Sequence, residues 1–167
     1  MPVQRLNHAV LYVRDLDASL AFYTEALGFR QVAGMPGKAA FLQAEGSSND
    51  HDLGLFAVGT DASASAAGRG SVGLYHLAWE VDTLAELSRI ADVLTERGAL
   101  VGASDHGSTK ALYARDPDGL EFEVSWLVPA AQLGEDTGMR TGPLDLPAEI
   151  ARYGAQTRGG VGVSVPA

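Results

Sequence analysis

His8-Ala-Val-Leu-Tyr-Val-Arg-Asp15 and His76-Leu-Ala-Trp-Glu-Val-Asp82 are the two stretches that decide the fold of this chain. Each begins with a histidine, reaches a valine five residues later and then an aspartate, and runs into a segment with helical periodicity. The chain has only four histidines. A histidine repeated at matching positions of two half-domains predicts one site shared across a pseudo-twofold axis.

Composition limits the functions to consider. The chain has 167 residues, 46% hydrophobic residues and a mean hydropathy near zero, as expected for one soluble globular domain. The absence of cysteine excludes disulfides, thiolate nucleophiles and cysteine zinc sites, and favours a cytoplasmic location. The net charge of −9 argues against nucleic acid as a partner. No apolar run is long enough for a membrane helix, and the N-terminus lacks the layout of a signal peptide.

The first half of the chain has the pattern of a βαβββ module. Alternation predicts a strand at residues 5–13. A helix follows, capped by Asp15 or Asp17 and ended by Gly28, with its apolar stripe at Leu16, Leu20, Tyr23 and Leu27. Three further strands are predicted, at residues 29–34, 38–44 and 51–58.

The second half repeats this order after a flexible connection at residues 59–72. Thr83-Leu-Ala-Glu86 is a capping box before a helix that ends at Gly98. Strands are predicted at residues 74–81, 99–103, 109–115 and 120–127. We therefore predict an α+β fold of two βαβββ modules, residues 1–58 and 73–128, within one domain at residues 1–128. A C-terminal extension at residues 129–167 carries a short helix after Asp145-Leu-Pro147, and we expect its end from Arg158 to be loose.

Strand alternation places several polar side chains on common faces. His8 lies on the face opposite Leu11 and Val13, and His76 on the face opposite Leu77 and Trp79. The last strand has two glutamates, Glu121 and Glu123, on the same face as each other. The spacing from the preceding turn favours Glu123 as the one beside the histidines. Two imidazoles and one carboxylate match the set that binds Fe(II) and leaves metal positions open for substrate or oxygen.

These motifs together resemble the vicinal oxygen chelate superfamily of glyoxalases, bleomycin-resistance proteins and extradiol dioxygenases. The resemblance covers residues 4–126. It rests on these segments: His8, Leu11–Asp15, Phe22-Tyr23, Leu27-Gly28-Phe29, Leu74–Ala78, and Asp116-Pro-Asp-Gly119 followed by Glu123. It implies paired modules around a concave metal-binding sheet, with His8, His76 and Glu123 as metal ligands, and a homodimer or higher homo-oligomer.

The remaining histidines resemble those of small catechol 2,3-dioxygenase-like members. His51-Asp-Leu-Gly-Leu-Phe56 is similar to the strand that carries their acid–base histidine, and His106 and Tyr113 match residues that line their substrate pocket. The resemblance implies that a catechol-like aromatic chelates Fe(II), or Mn(II), and reacts with O2. Histidine suits the proton transfers, because its charge changes near neutral pH.

Two other functions stay open from the sequence. One is a glyoxalase-like isomerase or a thiol transferase, in which His51 serves as a fourth metal ligand instead of an acid–base group. The other is a metal-free binding protein of the bleomycin-resistance type, which sequesters a small molecule. Bound metal and oxygen consumption distinguish these functions.

Overall fold

The computed structural model describes residues 2–3, 5–67, 70–134, 140–160 and 163. The chain forms two compact units. The first contains the residues up to Ser65 together with the turn Asp116–Gly119, and the second contains Ala66–Arg115 and the chain from Leu120 onward. In the described part of the chain, every helix is too short or too polar to cross a bilayer.

The first unit is a βαβββ module. Its elements are β1 Ala9–Val13, α1 Leu16–Leu27, β2 Arg30–Met35, β3 Ala39–Gln43 and β4 Leu53–Ala57. The strands lie in the order β1-β4-β3-β2, with β1 parallel to β4 and the other pairs antiparallel. Alternate residues of β1 are buried, so the predicted alternation is correct.

Helix α1 begins and ends where the sequence predicts, but it packs on a different stripe. The Asp15 carboxylate accepts a hydrogen bond from the Ala18 amide at 3.0 Å, and Gly28 closes the helix with a φ of 73°. The predicted stripe is wrong at Leu20 and Leu27, which are only half-buried. The buried residues are Leu16, Ser19, Phe22, Tyr23 and Ala26. This face carries the two aromatic rings. It is the buried face because the two rings together cover more apolar area than the two leucines.

The second unit repeats the module and adds one strand and one α-helix. Its elements are β5 Leu77–Glu80, α2 Leu84–Glu96, β6 Leu100–Asp105, β7 Thr109–Arg115, β8 Glu121–Leu127, β9 Gly142–Pro143 and α3 Leu146–Tyr153. The strand order is β5-β8-β7-β6-β9, again with the first pair parallel. The α+β fold with two βαβββ modules is therefore confirmed.

Helix α2 follows its sequence pattern closely. The Thr83 hydroxyl accepts a hydrogen bond from the Glu86 amide at 3.2 Å, as the capping box predicts. The four predicted apolar residues, Leu84, Leu87, Ile90 and Leu94, are all buried. This helix differs from α1 because every buried residue on its stripe is a leucine or isoleucine.

Both motif histidines stand immediately before a strand. β1 begins at Ala9 and β5 at Leu77, whereas the sequence predicts strands that include the histidines. β4 begins at Leu53, so His51 also precedes its strand. A residue next to a strand end keeps the direction that the pleat gives it but has fewer neighbours.

The C-terminal extension packs onto the second unit. Asp145 caps α3, the predicted short helix, and the Tyr153 ring lies 5.5 Å from that of Trp126. Arg158 forms an antiparallel bridge with Thr83, and the Gly159 amide donates to the Asp82 carbonyl at 2.8 Å. The predicted loose end begins at Arg158, so the prediction is wrong at residues 158–159, which these contacts hold. The rest of that end lies mostly outside the described residues, as do residues 68–69 of the predicted linker. The looseness of that end stays a prediction.

Candidate metal and acid–base site

The first unit brings His8 and His51 together. Their ring centroids are 4.5 Å apart, and the Phe41 ring stands edge-on at 5.2 Å from His51. The Nδ1 atom of His8 lies 2.7 Å from the Asn7 side-chain oxygen. Because an amide oxygen only accepts, Nδ1 is the donor in this contact, and in the neutral ring Nε2 is then the free acceptor. A histidine in this tautomer can bind a metal through Nε2.

His51 has an acidic neighbour in the chain. Its Nδ1 lies 3.2 Å from an Asp50 carboxylate oxygen, which also accepts from the His51 backbone amide at 2.9 Å. That backbone hydrogen bond, aided by the imidazole, lowers the pKa of the exposed Asp50. The arrangement suits a histidine that exchanges protons, because a carboxylate on one ring nitrogen orients the other.

Asp52 is directed away from these rings. Its carboxylate accepts from the Ala44 amide at 2.9 Å and from the Ser47 hydroxyl and Asn49 side chain, each at 2.7 Å. These three hydrogen bonds to the Asp52 carboxylate stabilise the loop before β4. Asp52 is therefore a loop-forming residue, and the chemistry of this surface falls to the histidines.

In the second unit, His76 and Glu123 face each other. His76 Nε2 lies 3.3 Å from Glu123 Oε2, and the parallel register of β5 and β8 pairs Ala78 with Glu123. Their side chains are 25% and 13% exposed. Glu121, which shares the strand face, instead accepts a hydrogen bond from Arg115 at 2.8 Å. The carboxylate beside the histidine is thus that of Glu123.

Tyr113 joins this pair to His106. The Tyr113 hydroxyl lies 2.9 Å from His106 Nε2, and its ring lies 5.8 Å from that of His76. Burial raises the pKa of Tyr113 to about 12, and the Glu123 carboxylate adds to the increase. The phenol therefore stays protonated at neutral pH and can donate a hydrogen bond. On its other side, His106 Nδ1 lies 3.2 Å from both the Arg140 carbonyl and the Thr141 hydroxyl.

The ligand types fit a divalent first-row metal. Two neighbouring ligand atoms of one metal, each bound at about 2.1 Å, lie about 3 Å apart. His76 Nε2 and Glu123 Oε2 are 3.3 Å apart, which is close to that separation. Imidazole nitrogen with carboxylate oxygen is a donor set of iron and manganese sites. Taken one unit at a time, the described residues include no group of three histidine, aspartate or glutamate side chains close enough to share a metal.

Sequence reasoning missed the partners of the histidines. Asn7 and Asp50 each precede a histidine in the chain, and this adjacency was the available signal. Thr141 lies 35 residues from His106, and no local pattern connects them. Phe41 lies on another strand, so only the strand order brings it to His51.

Two curated relatives carry the names catechol-2,3-dioxygenase and metapyrocatechase 2. The chain is 35% identical over 119 residues to the catechol-2,3-dioxygenase of Bacillus subtilis (strain 168), a match covering 71% of this chain and 40% of that protein. It is 29% identical over 163 residues to metapyrocatechase 2 of Cupriavidus necator, covering 89% and 47%. The chain thus spans less than half the length of these two relatives.

Solved structures share the fold. A glyoxalase/bleomycin resistance protein/dioxygenase domain from Frankia sp. EAN1pec superposes with a TM-score of 0.62 at 23% identity, covering 74% of this chain and 92% of that one. The model of one family matches residues 5–124, most of the chain. The repeated βαβββ order, the histidines before β1 and β5 and this match agree: the chain belongs to the Glyoxalase/Bleomycin resistance protein/Dioxygenase superfamily.

Proposed function

We propose that this chain is a metal-dependent extradiol dioxygenase that opens the ring of a catechol-like aromatic with O2. The supporting observation is the row of side chains in the second unit, where His106 contacts Tyr113 beside His76 and Glu123. A binding protein needs no acid–base pair next to a ligand pair. Relatives named as catechol-cleaving enzymes support the same reaction.

We propose that His8, His76 and Glu123 bind the metal, as Fe(II) or Mn(II). When bound, this metal supplies the Lewis acidity and electron exchange that activate catechol and oxygen. His76 Nε2 and Glu123 Oε2, which lie 3.3 Å apart, are the two donor atoms of the second unit. The proposal accounts for the two motif histidines occupying equivalent positions in the repeat.

The proton transfers fall to side chains around the ligands. His51 is the proposed acid–base residue that takes a phenolic proton from the catechol and later returns one. Tyr113 is proposed to hydrogen-bond the substrate through its phenol oxygen, which accepts from a catechol hydroxyl, because its one proton is donated to His106 Nε2. His106 holds that phenol through its Nε2. Phe41, edge-on to His51, offers an apolar wall to an aromatic substrate.

One observation favours a second function. The His8 and His51 rings lie 4.5 Å apart, near enough for His51 to act as a fourth metal ligand, as in a glyoxalase-like isomerase. The His51→Ala variant distinguishes the two. Turnover lost with the metal retained assigns His51 to acid–base work, and metal lost with turnover assigns it as a ligand.

Oxygen consumption tests the function directly. Protein loaded anaerobically with Fe(II), and in parallel with Mn(II), is mixed with a diverse panel of catechols in an oxygen-electrode cell. We expect oxygen uptake with a yellow ring-cleavage product. Absence of oxygen uptake with every catechol, in protein shown to bind metal, would overturn the proposal. Absence of bound metal and of any metal-induced rise in Tm would favour a metal-free binding protein.

Compartment and assembly belong to the same proposal. We propose a homodimer on the basis of family membership. We propose a cytoplasmic location on the basis of the cysteine-free composition. Light scattering of the eluted protein during gel filtration measures the assembly. A mass of 17.4 kDa for the eluted species would contradict the dimer.

A further inference from the structure

The C-terminal extension contacts the imidazole of His106. The Arg140 carbonyl oxygen and the Thr141 hydroxyl oxygen each lie 3.2 Å from His106 Nδ1. A backbone carbonyl can only accept a hydrogen bond, so Nδ1 must carry the proton. In the neutral ring Nε2 is then the acceptor, and it faces the Tyr113 hydroxyl at 2.9 Å.

We propose that the segment Arg140–Thr141 completes the acid–base site by fixing the tautomer of His106, with Thr141 as a positioning residue. This inference rests on the proposed function, in which His106 holds the Tyr113 phenol. In the Nδ1–H tautomer, Tyr113 donates to Nε2. In the Nε2–H tautomer, the ring nitrogen would present a hydrogen to the phenol and turn its hydroxyl proton away.

The segment is anchored on both sides of Thr141. Before it, the Arg140 guanidinium pairs with the carboxylate of Asp105, the last residue of β6. After it, β9 pairs with β6, Gly142 opposite Asp105. Neither contact involves the Thr141 hydroxyl, so a change at that hydroxyl can leave the anchors in place.

A buried cation fastens the same anchor to helix α3. Lys110 Nζ, which is fully buried, lies 2.6 Å from Asp105 Oδ1 and 3.0 Å from Glu149 Oε2. The Gly107 amide donates to Asp105 at 2.8 Å. Buried charges are stable only when paired in this way. The extension is therefore tied to β6 and β7, the strands on either side of the His106 turn.

The tautomer can be measured without activity or metal. Long-range ¹H–¹⁵N spectra of the full-length, metal-free protein with ¹⁵N-labelled histidine report which ring nitrogen carries the proton, and His106→Gln assigns the signal. We expect the Nδ1–H tautomer in the wild type. Thr141→Val removes one of the two acceptors and should raise the Nε2–H share about fivefold, as loss of one neutral hydrogen bond predicts.

Matched variants separate positioning from structure. Thr141→Ser keeps the hydroxyl and should restore the wild-type tautomer. Thr95→Val is the control, because that hydroxyl donates to the Ala91 carbonyl within α2 and has no contact with His106 among the described residues. It should leave the His106 signal unchanged. Circular dichroism and Tm check that each variant is folded. An Nε2–H tautomer in the wild type, or a folded Thr141→Val protein with an unchanged His106 signal, would overturn the inference.

A kinetic measurement adds the functional consequence. With metal-loaded protein we expect Thr141→Val to lower kcat about fivefold, the factor that loss of one neutral hydrogen bond predicts. KM for the catechol should change less than about twofold. Thr141→Ser should recover kcat. A rise in KM at constant kcat would assign Thr141 to substrate binding and overturn the positioning role. If the wild type consumes no oxygen, the proposed function fails, and the NMR result still decides the tautomer.

Discussion

The two modules share one strand order but hold their histidines in different ways. In the first unit, His8 is exposed, and the ring of His51 lies against it. In the second, His76 and His106 belong to a row of polar contacts that includes Tyr113 and Glu123. The repeat thus fixes where a histidine stands before a strand, whereas the surrounding polar groups are particular to each unit.

The second unit also carries the C-terminal extension, for which the first has no equivalent among the described residues. Thr141 of this extension contacts His106, and Glu149 contacts the buried Lys110. A fold built by repetition acquires asymmetry through such an addition. Variants confined to one unit can therefore show which of the two units carries the chemistry.

Glu123→Gln should have the largest effect. The amide keeps the shape of the side chain but removes the charge that faces His76 and that the proposed metal requires. We expect loss of bound metal and at least a thousandfold fall in oxygen uptake, measured by metal analysis and an oxygen electrode.

Glu121→Gln is the matched control on the same strand face. Glu121 pairs with Arg115, is partly exposed and contacts neither histidine in the described structure. It should retain metal and activity. Equal loss in both variants would contradict the assignment of Glu123 and point to a general effect of charge on this face.

His51→Ala changes the first unit with the next largest effect. Removal of an acid–base residue costs about a hundredfold or more in kcat, while the metal should stay bound. Asp50→Asn, which keeps the shape of the neighbouring carboxylate, should lower kcat much less. Metal content and kcat are measured together. Loss of metal from His51→Ala would contradict acid–base work and favour a ligand role.

The sequence predicts the fold better than the site. Periodicity locates α2 and its cap correctly. The cap at Thr83 and the apolar stripe both depend on residues that are close in the sequence. The stripe of α1 is wrong at Leu20 and Leu27, because the sheet beneath a helix decides which face is buried. Spacing cannot show this when aromatic and aliphatic residues lie on both faces.

Residue chemistry and family resemblance select the candidate side chains, but their partners depend on tertiary structure. Glu123 lies opposite Ala78, two residues after His76, so the side chains of His76 and Glu123 share the face that strand alternation anticipates. The contact of His106 with Thr141 depends on β9, a two-residue strand too short to leave a periodic signal. Lysine side chains are mostly exposed in folded proteins, yet Lys110 is fully buried.

Asp105→Asn tests the anchor of the C-terminal extension. Burial by itself raises the pKa of Asp105, but hydrogen bonds from Lys110, Gly107 and Arg140 outweigh it and lower the pKa from 3.8 to about 2. A carboxyl with a lowered folded-state pKa adds stability above its unfolded value and loses it as the pH falls from about 4 towards 2. The variant should lose about 2 kcal/mol of unfolding free energy at neutral pH.

The pH dependence distinguishes this anchor from an ordinary surface charge. Urea unfolding at several pH values should show a steeper loss of wild-type stability between about pH 4 and 2 than that of Asp105→Asn. Asp92→Asn, an exposed position on α2, is the control and should keep the wild-type slope. Parallel curves for wild type and Asp105→Asn would contradict the lowered pKa.

The helix caps give the smallest effect and the closest comparison between the units. Asp15→Ala in the first and Thr83→Ala in the second each remove a side-chain acceptor from a helix amide, at a cost of about 1 kcal/mol of unfolding free energy. Asp15 should cost a few tenths more, because its charge also interacts with the helix dipole. Urea unfolding measures both. Asp15→Asn and Thr83→Ser retain the acceptors, so each should recover most of the loss. Equal stability of Asp15→Asn and Asp15→Ala would show that the charge, and not the hydrogen bond, begins α1.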